Sequence, residues 1–411
     1  MKRDNLVAGL NLGTTKTCAV IAEAVPSDRA TGAKILGIGL ARTNGVKLGK
    51  VRDIEETTRS IQRAMRDAER MAGIQIPAVY CGIAGEHVRT QLTTGLASVA
   101  GEEIRRQDAE RVEEVAKAVD LGDGFELLHY IPQEYKVDSQ GGISDPVGMV
   151  GLRLEVEMCL VSVQSKAAQN VRKSVERAGY RIAELVLEPL AASLAVLTDE
   201  EKELGCALVE LGGGLTTVSI FHDGKLKHLS SLPFAGWLVT SDIVQGLGVT
   251  QSDAERLKER WGVAYTPLVD SEETVELPGT PGQGDRHAKR ELLAHIIHQR
   301  LDEIFGLVAE QIETAGFAQR LPAGIVLTGG GAHMAGIVEL AREVFATPVR
   351  KGVPQADISG LVDSVQAPRY AVPVGLVLYG ARQRVRGIAA YGDTSMGRFL
   401  APVKRWLQDF F

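Results

Sequence analysis

Three consecutive glycines and two nearby threonines interrupt an apolar stretch in the middle of the chain. Apolar residues run from Cys206 to Leu211 and resume from Val218 to Phe221, which predicts strand, tight turn, strand. A ligand can approach the backbone of glycine closely because it has no Cβ, and consecutive N–H groups in such a turn can bind an anion. The residues expected to contact a phosphate are Gly212, Gly213, Gly214, Thr216 and Thr217.

The same plan occurs twice more. In residues 6–21 two apolar strands flank the turn residues Gly13, Thr14, Thr15 and Lys16. In residues 324–331 an apolar strand ends in Gly329, Gly330 and Gly331. One copy alone is more typical of an ordinary glycine-rich hairpin. Together, the three copies predict a duplicated fold that closes on a nucleotide from both sides.

The elements that would position these turns follow from hydrophobic periodicity and helix-end signals. Asp53 with Glu56 resembles a capping box, and Gly73 ends the helix that it begins. Proline at the first turn predicts a helix that begins at Glu188, and Ser252 with Glu255 suggests another capping box. Further helices are predicted in residues 108–119, 166–178, 287–315, 336–345 and 372–384.

Composition limits the class of protein. A chain of 411 residues exceeds one hydrophobic core, so two or more domains are expected. The formal net charge of −6 argues against nucleic acid as a partner. No segment is apolar enough to cross a bilayer and the N-terminus lacks a signal-type apolar core, so we expect a protein kept inside the cell. Four cysteines without metal-ligand spacing are expected to be buried and reduced: Cys18, Cys81, Cys159 and Cys206.

The order of these motifs resembles the actin/heat-shock-chaperone/sugar-kinase superfamily. More narrowly, the chain resembles the FtsA family, actin-like bacterial division proteins that tether the tubulin-like protein FtsZ to the membrane. The resemblance spans essentially the whole chain and rests on residues 131–135 (IPQEY), 145–148 (DPVG), 187–193 (LEPLAAS), 239–243 (VTSDI) and 323–331 (AGIVLTGGG).

This resemblance implies an α/β fold with two actin-like lobes, each with a nucleotide-binding half, and a small α+β insertion in the first lobe. The implied boundaries are subdomain IA at 1–83 with 164–200 and 361–386, insertion IC at 84–163, subdomain IIA at 201–238 with 323–360, subdomain IIB at 239–322, a linker at 387–396 and an amphipathic helix at 397–411.

The resemblance also implies that ATP and Mg²⁺ lie between the lobes, with the glycine turns around the phosphates. Glu255 and Lys258 would reach the ribose and base, although a capping role for Glu255 is the alternative. Glu188 would face the attacking water. A helix-start carboxylate favoured by the helix dipole explains Glu188 equally well.

Two positions depart from the superfamily, which usually has Asp just before each phosphate turn. The chain has Asn11 and Glu210 there, and Val218 replaces an acid that often follows the second turn. Asn offers a metal no charge and Glu is one methylene longer, so both would hold Mg²⁺ only weakly and through water. We therefore expect ATP binding with weak or absent ATPase activity, and no enzymatic role.

The resemblance implies protein partners as well. Arg300 is at the position where the family presents a basic residue to the acidic C-terminal peptide of FtsZ, although a lone arginine on a helix is more often a solvated surface group. The chain would polymerise with itself through the IA, IC, IIA and IIB subdomains, and the insertion would contact later division proteins.

The last fifteen or so residues have the pattern of a helix that lies in a membrane surface. Apolar and aromatic residues recur at helical spacing, with cations and polar residues opposite; a final helix docked on the protein's own body is the alternative. The predicted lipid-contacting residues are Phe399, Leu400, Val403, Lys404, Arg405, Trp406, Leu407, Phe410 and Phe411. With the resemblance, they predict a peripheral protein on anionic lipid, at midcell on the cytoplasmic face of the bacterial inner membrane.

Three other classes of protein fit the sequence less well. A sugar or acid kinase of the same fold needs a carboxylate base toward a hydroxyl substrate, and no candidate stands out. A chaperone-type ATPase needs a peptide-binding domain after the second lobe. A different actin-like filament protein, such as the rod-shape protein MreB, lacks the 84–163 type of insertion.

Overall fold

A computed structural model describes residues 5–26, 31–278, 286–355 and 357–391, with backbone only for residues 385–391. Its strands in chain order are β1 (Leu6–Leu12), β2 (Lys16–Val25), β3 (Gly32–Arg42), β4 (Val46–Lys47), β5 (Lys50–Val51), β6 (Ala78–Ile83), β7 (Val88–Ser98), β8 (Phe125–Val137), β9 (Gln140–Ile143), β10 (Arg153–Gln164), β11 (Arg181–Leu187), β12 (Cys206–Leu211), β13 (Thr216–His222), β14 (Lys225–Leu232), β15 (Thr274–Leu277), β16 (Arg286–Lys289), β17 (Ile325–Thr328), β18 (Val349–Lys351) and β19 (Ile358–Gly360). Its α-helices are α1 (Ile54–Ala72), α2 (Arg106–Lys117), α3 (Ser165–Arg177), α4 (Glu188–Val196), α5 (Asp199–Leu204), α6 (Gly236–Leu247), α7 (Gln251–Trp261), α8 (Arg290–Thr314), α9 (Ile337–Phe345) and α10 (Ala371–Tyr391).

Two sheets with the same strand arrangement form the centres of two lobes. The first has the order β11-β6-β1-β2-β3-β19 and the second β18-β17-β12-β13-β14. In each, an antiparallel meander of three strands continues into two parallel strands. The two predicted phosphate turns join the first two strands of each meander. The duplication predicted from the glycine turns is therefore confirmed.

Helices cover both faces of the first sheet. The apolar sides of α1 and α3 pack on one face, and α4 and α10 pack on the other. The contacts are close enough to require glycine, because a Cβ on Gly39 would lie 1.8 Å from the Ala64 carbonyl oxygen and one on Gly375 would lie 1.8 Å from that of Ala191. All four cysteines are buried and free, as predicted.

The second lobe buries its sheet beneath α6, α7, α8 and α9. The helix predicted from residue 287 begins only at Arg290, because Arg286–Lys289 pairs with Thr274–Leu277 as a short hairpin. The predicted cap at Ser252 is wrong. Thr250 is the N-cap of α7, and its hydroxyl oxygen accepts from the Asp253 N–H at 3.2 Å.

The insertion between β6 and α3 forms a separate sheet in the order β7-β10-β8-β9. Helix α2 covers one face, where Val112, Val156 and Met158 are fully buried. The other face carries exposed residues such as Leu92. This is the small α+β unit predicted for residues 84–163, but the face predicted to be wet is exposed only in part, because Ile131, Cys159 and Val161 on it are buried in the core of the first lobe.

The C-terminal helix is longer than predicted. Helix α10 continues to Tyr391, so residues 387–391 are helical, although the linker was expected to begin at residue 387. Ala389 and Ala390 favour helix, and the single glycine, Gly387, costs only about 1 kcal/mol. The rest of the linker and the predicted membrane helix at 397–411 lie outside the described residues. Within the described part of the chain, no helix combines the length and apolarity needed to cross a membrane.

Candidate nucleotide-binding cleft

The two predicted phosphate turns touch each other. A Cβ on Gly213 would lie 2.6 Å from Thr15 Cγ2, and one on Gly214 would lie 2.6 Å from Thr14 Oγ1. Real carbon contacts are about 3.5–4.0 Å, so side chains at these two positions would force the turns apart. Glycine is therefore needed where the lobes meet, whatever else the turns bind.

The first turn positions Lys16 at the edge of this contact. Lys16 begins β2 with a half-exposed side chain, and its Nζ lies 3.3 Å from Glu259 Oε1 on α7. This ion pair joins one lobe to the other. Sequence reasoning missed Glu259, since an exposed glutamate on a charged helix gives no signal of its own.

The two threonines after the second turn are buried at the start of β13. The Thr216 hydroxyl donates to the Phe234 carbonyl oxygen at 2.6 Å, so its proton is already used within the lobe. The expectation that Thr216 supplies a hydroxyl donor to a phosphate is wrong for this arrangement. The backbone of the turn is the part that remains open to a ligand.

The N-terminus of helix α6 packs on the second turn. The N–H groups of Gly236 and Trp237 donate to the carbonyl oxygens of Gly212 and Gly213 at 3.1 and 2.8 Å. These bonds fix the turn relative to the helix. They also use the two carbonyls, so the turn presents N–H groups more than carbonyls to the cleft, as an anion site requires.

Glu255 and Lys258 lie together on α7 beside the start of α6. Lys258 Nζ donates to Glu255 Oε2 at 2.7 Å, to Thr240 Oγ1 at 2.7 Å and to the Gly236 carbonyl at 3.0 Å. Burial by itself would raise the pKa of Glu255, but Lys258 and the Thr240 hydroxyl outweigh it and lower that pKa. Because Thr250 caps the helix, Glu255 is not used as a cap and forms this charged cluster with Lys258.

The third glycine turn packs against the end of β12, next to the second turn. A Cβ on Gly329 would lie 2.6 Å from the Leu211 carbonyl oxygen, and one on Gly331 would lie 2.5 Å from Leu211 Cγ. Gly329 also has φ +84°, which favours glycine. Gly330 faces open space, so it is the residue of this turn that a ligand could reach.

Two carboxylates converge beneath the turns. Glu188 is the first residue of α4 and its side chain lies over Gly82, where a Cβ would come within 2.9 Å of Glu188 Cγ. Burial and the charge of Glu210 raise the pKa of Glu188, and burial raises that of Glu210. One Glu210 oxygen, Oε2, is buried without a hydrogen-bond partner among the described residues.

These carboxylates fit a hydrated Mg²⁺. Two buried acids that repel each other are stabilised by a shared proton or by a cation, and Glu210 Oε2 has no hydrogen-bond partner among the described residues. Asn11 Oδ1 lies beside the first turn, 3.5 Å from the Cβ position of Gly13. No group of three or more metal-ligating side chains occurs in the described residues, so water and phosphate would complete the shell, as is usual for Mg²⁺.

Arg300 is held inside the second lobe. Its Nε and one terminal nitrogen lie 2.5 and 3.2 Å from the two carboxylate oxygens of Asp242, and it also pairs with Glu303. Asp242 is the main cause of its raised pKa. Arg300 therefore stabilises the packing of α8 on α6, and it is not the solvated surface group that was the alternative.

These features define the class of protein: an actin-like fold with two duplicated lobes, whose glycine turns meet over a pair of carboxylates. Solved structures agree on the fold. A chain of the PilM-PilN type IV pilus biogenesis complex has a TM-score of 0.65 at 16% identity, covering 91% of this chain and 98% of that one. MreB5 of Spiroplasma citri bound to ADP has a TM-score of 0.53 at 15% identity, covering 93% and 98%.

Family models and relatives are more specific. The model for the cell division protein FtsA matches residues 207–375, and the model for the SHS2 domain inserted in FtsA matches residues 85–162. Cell division protein FtsA of Pseudomonas aeruginosa is 38% identical over 99% of this chain and 98% of its own length. The FtsA proteins of Escherichia coli K12 and Neisseria meningitidis are 38% and 36% identical over 98% and 100% of their lengths. The chain belongs to the FtsA family of actin-like cell division proteins.

Proposed function

We propose that this chain is an ATP-binding adaptor of cell division, which anchors FtsZ filaments to the membrane and recruits later division proteins. The single observation that carries the ATP part is the contact between Gly213–Gly214 and Thr14–Thr15, in a turn that follows the strand carrying Glu210 of the Glu188–Glu210 pair. An anion-binding backbone and a site for a cation lie together, which is the combination that a magnesium nucleotide needs.

Different residues of the cleft would bind different parts of the nucleotide. The backbone of both turns and Lys16 would hold the phosphates, and the Glu255–Lys258 pair together with Gly330 would hold the ribose and base. Glu210, with Asn11, would hold Mg²⁺ through water. When bound, the ion neutralises phosphate charge. Lys16 can serve only if it leaves Glu259, so nucleotide binding would replace an ion pair between the lobes with a contact to phosphate.

Slow turnover follows from the same geometry. Glu210 is one methylene longer than the usual Asp and would hold Mg²⁺ only weakly and through water. Asn11 adds no charge to the site. We therefore expect this protein to act through nucleotide-dependent assembly, with steady-state ATP hydrolysis well below about 1 s⁻¹.

The membrane and partner roles rest on the sequence of the tail and on the family. Residues 397–411 would lie in anionic lipid at the cytoplasmic face of the inner membrane, at midcell. The FtsZ peptide would bind the IIB subdomain. Because Asp242 and Glu303 hold Arg300, an acidic peptide would have to compete with them or use neighbouring groups. The chain would also polymerise with itself, and the insertion would contact later division proteins.

Two measurements test the proposal. Displacement of a fluorescent ATP analogue, with and without Mg²⁺, should show saturable binding that EDTA weakens; no binding would refute the nucleotide assignment. Sedimentation with anionic liposomes should be lost when residues 397–411 are removed. Equal sedimentation of the truncated chain would refute the membrane anchor while leaving nucleotide binding untouched.

A further inference from the structure

A row of arginines lies along α1 and the end of β3 in the first lobe. An open groove of about 690 Å³ runs between the end of β3 and the outer side of α1. Its lining holds four arginines and one aspartate, which leaves three net positive charges on a chain whose net charge is −6. The lining residues are Leu40, Ala41, Arg42, Arg63, Arg66, Asp67 and Arg70.

Most of this charge is not neutralised within the lobe. Arg70 pairs with Asp67 at 2.7 Å. No carboxylate of a described residue lies within ion-pair distance of Arg42, Arg63 or Arg66, and all three arginines are exposed. Elsewhere on α1, Arg59 pairs with Glu56 in the ordinary i, i+3 manner. Like charges left unpaired side by side repel each other, so they favour an anionic occupant.

The backbone of β3 gives the groove a second binding element. Strand β19 pairs with β3 only at Ala33–Ile35. The Thr43 N–H donates to the Thr15 carbonyl oxygen, so Thr43 is a position whose backbone groups point toward β2. Because this direction alternates from residue to residue in an antiparallel pair, the N–H and C=O of Leu40 point away from β2. The Arg42 carbonyl points the same way and accepts from Ser60 Oγ at 3.0 Å. At Leu40 the edge of the sheet is therefore open, and its 40% exposed side chain adds an apolar floor.

We propose that this groove binds an extended acidic segment of a partner protein, which adds to the open edge of β3 and presents carboxylates to the arginines. Arg63, Arg66 and Arg70 span about 10 Å along α1, which is longer than one phosphate group. Carboxylates at alternate residues of a strand are about 7 Å apart on one face, so two of them fit within this span. Strand addition gives main-chain hydrogen bonds, and alternate side chains give specificity.

An acidic peptide suits the groove better than the other polyanions. A bilayer is flat and could touch only the rim of a concave groove. A nucleic acid offers no strand edge for Leu40 and no apolar residue for its side chain. Arg42 lies opposite Lys16 in the β2–β3 ladder, next to the first phosphate turn, so the variants that test the groove are confined to Arg63 and Arg66 on α1.

The test uses the full chain and a fluorescein-labelled heptapeptide of alternating Glu and Val, followed by fluorescence anisotropy. We expect saturable binding that weakens with salt, and a loss of about tenfold or more for the double variant Arg63→Glu, Arg66→Glu. The matched control is Lys173→Glu, Arg177→Glu on α3, which makes the same charge change on exposed residues outside the groove and should bind as the parent does. A peptide N-methylated at its valines should bind at least about tenfold more weakly, because it cannot pair with β3.

Several results would overturn the proposal. Equal affinity of the Arg63/Arg66 variant and the α3 control would remove the groove as the site. Undiminished binding of the N-methylated peptide would remove strand addition. Displacement of the peptide by phosphatidylglycerol vesicles or by an oligonucleotide at equal charge concentration would show a general polyanion surface. Loss of self-assembly in the Arg63/Arg66 variant without loss of peptide binding would assign the groove to a second copy of the chain.

Discussion

Adding one methyl group at Gly214 should lower the affinity for a nucleotide more than it lowers the stability of the folded protein. The new Cβ would lie 2.6 Å from Thr14 Oγ1, 2.9 Å from its Cγ2 and 3.1 Å from its Cβ. No rotation about χ1 of Thr14 removes all three conflicts, because the last atom does not move. The two turns must separate by about 1 Å to restore normal contact distances.

Overpacking of this kind costs about 1–3 kcal/mol. The contact is between lobes and not inside either core, so the lobes can relieve it by opening. The cost then falls on the closed state that holds a nucleotide, and it corresponds to a loss of about 5- to 150-fold in affinity for Gly214→Ala. The melting temperature of the nucleotide-free protein should change little.

The assay is displacement of a fluorescent ATP analogue from the full chain. Gly306→Ala is the matched control, because a Cβ there on α8 meets nothing within 4 Å. In a Thr14→Ala background the effect of Gly214→Ala should shrink, since two of the three conflicting atoms are gone. Unchanged affinity for Gly214→Ala, or an effect as large in the Thr14→Ala background, would refute the contact between the turns.

Three further predictions concern charged groups. Burial holds the pKa of Glu210 above its ordinary value, at about 7, so the native state binds more protons than the unfolded state and stability should fall as pH rises between about 4.5 and about 7. Glu210→Gln should flatten this fall in thermal melts of the nucleotide-free protein. Parallel curves of melting temperature against pH for the variant and the parent would contradict this prediction. Arg350 donates two hydrogen bonds of 2.6 Å to the Glu201 carboxylate and one of 2.7 Å to the Val196 carbonyl oxygen. Arg350→Ala should therefore lower the free energy of unfolding, measured in urea, by about 1–3 kcal/mol. A change within experimental error would show that solvent screens the contact. Glu259→Gln should tighten ATP binding by up to about fivefold, because an exposed ion pair worth about 0.2–1 kcal/mol no longer competes for Lys16. Weaker ATP binding by this variant would mean that Glu259 supports the nucleotide site.

The glycine turns were predictable because their signal is local. Apolar strands on both sides of Gly13–Lys16 and Gly212–Thr217 leave a hairpin as the simplest structure, and repetition indicates duplication. The sheet order then follows, since each turn begins a meander. The α+β insertion was visible for a similar reason: its strands alternate in polarity where those of the lobes do not.

Several errors came from reading side chains without their neighbours. Ser252 and Glu255 have the spacing of a capping box, but Thr250 two residues earlier accepts the bond from Asp253. Arg300 was expected to face an acidic peptide or solvent, and nothing in the sequence indicated that Asp242 on another helix pairs with it. Residues 387–396 were expected to form a linker because they are small and polar, but helix α10 continues to Tyr391.

The sequence by itself determined the family, the duplicated lobes and the positions of the glycine turns, since these depend on short-range patterns of strand, turn and helix. Only the tertiary structure decided which side chains meet: Thr14 against Gly214, Lys16 with Glu259, Glu188 beside Glu210, and the unpaired arginines of α1 beside an open edge of β3. The physical reason is distance along the chain. Residues that lie some 20 to 240 positions apart in the sequence give no periodic pattern. Their contacts form only when the lobes have folded.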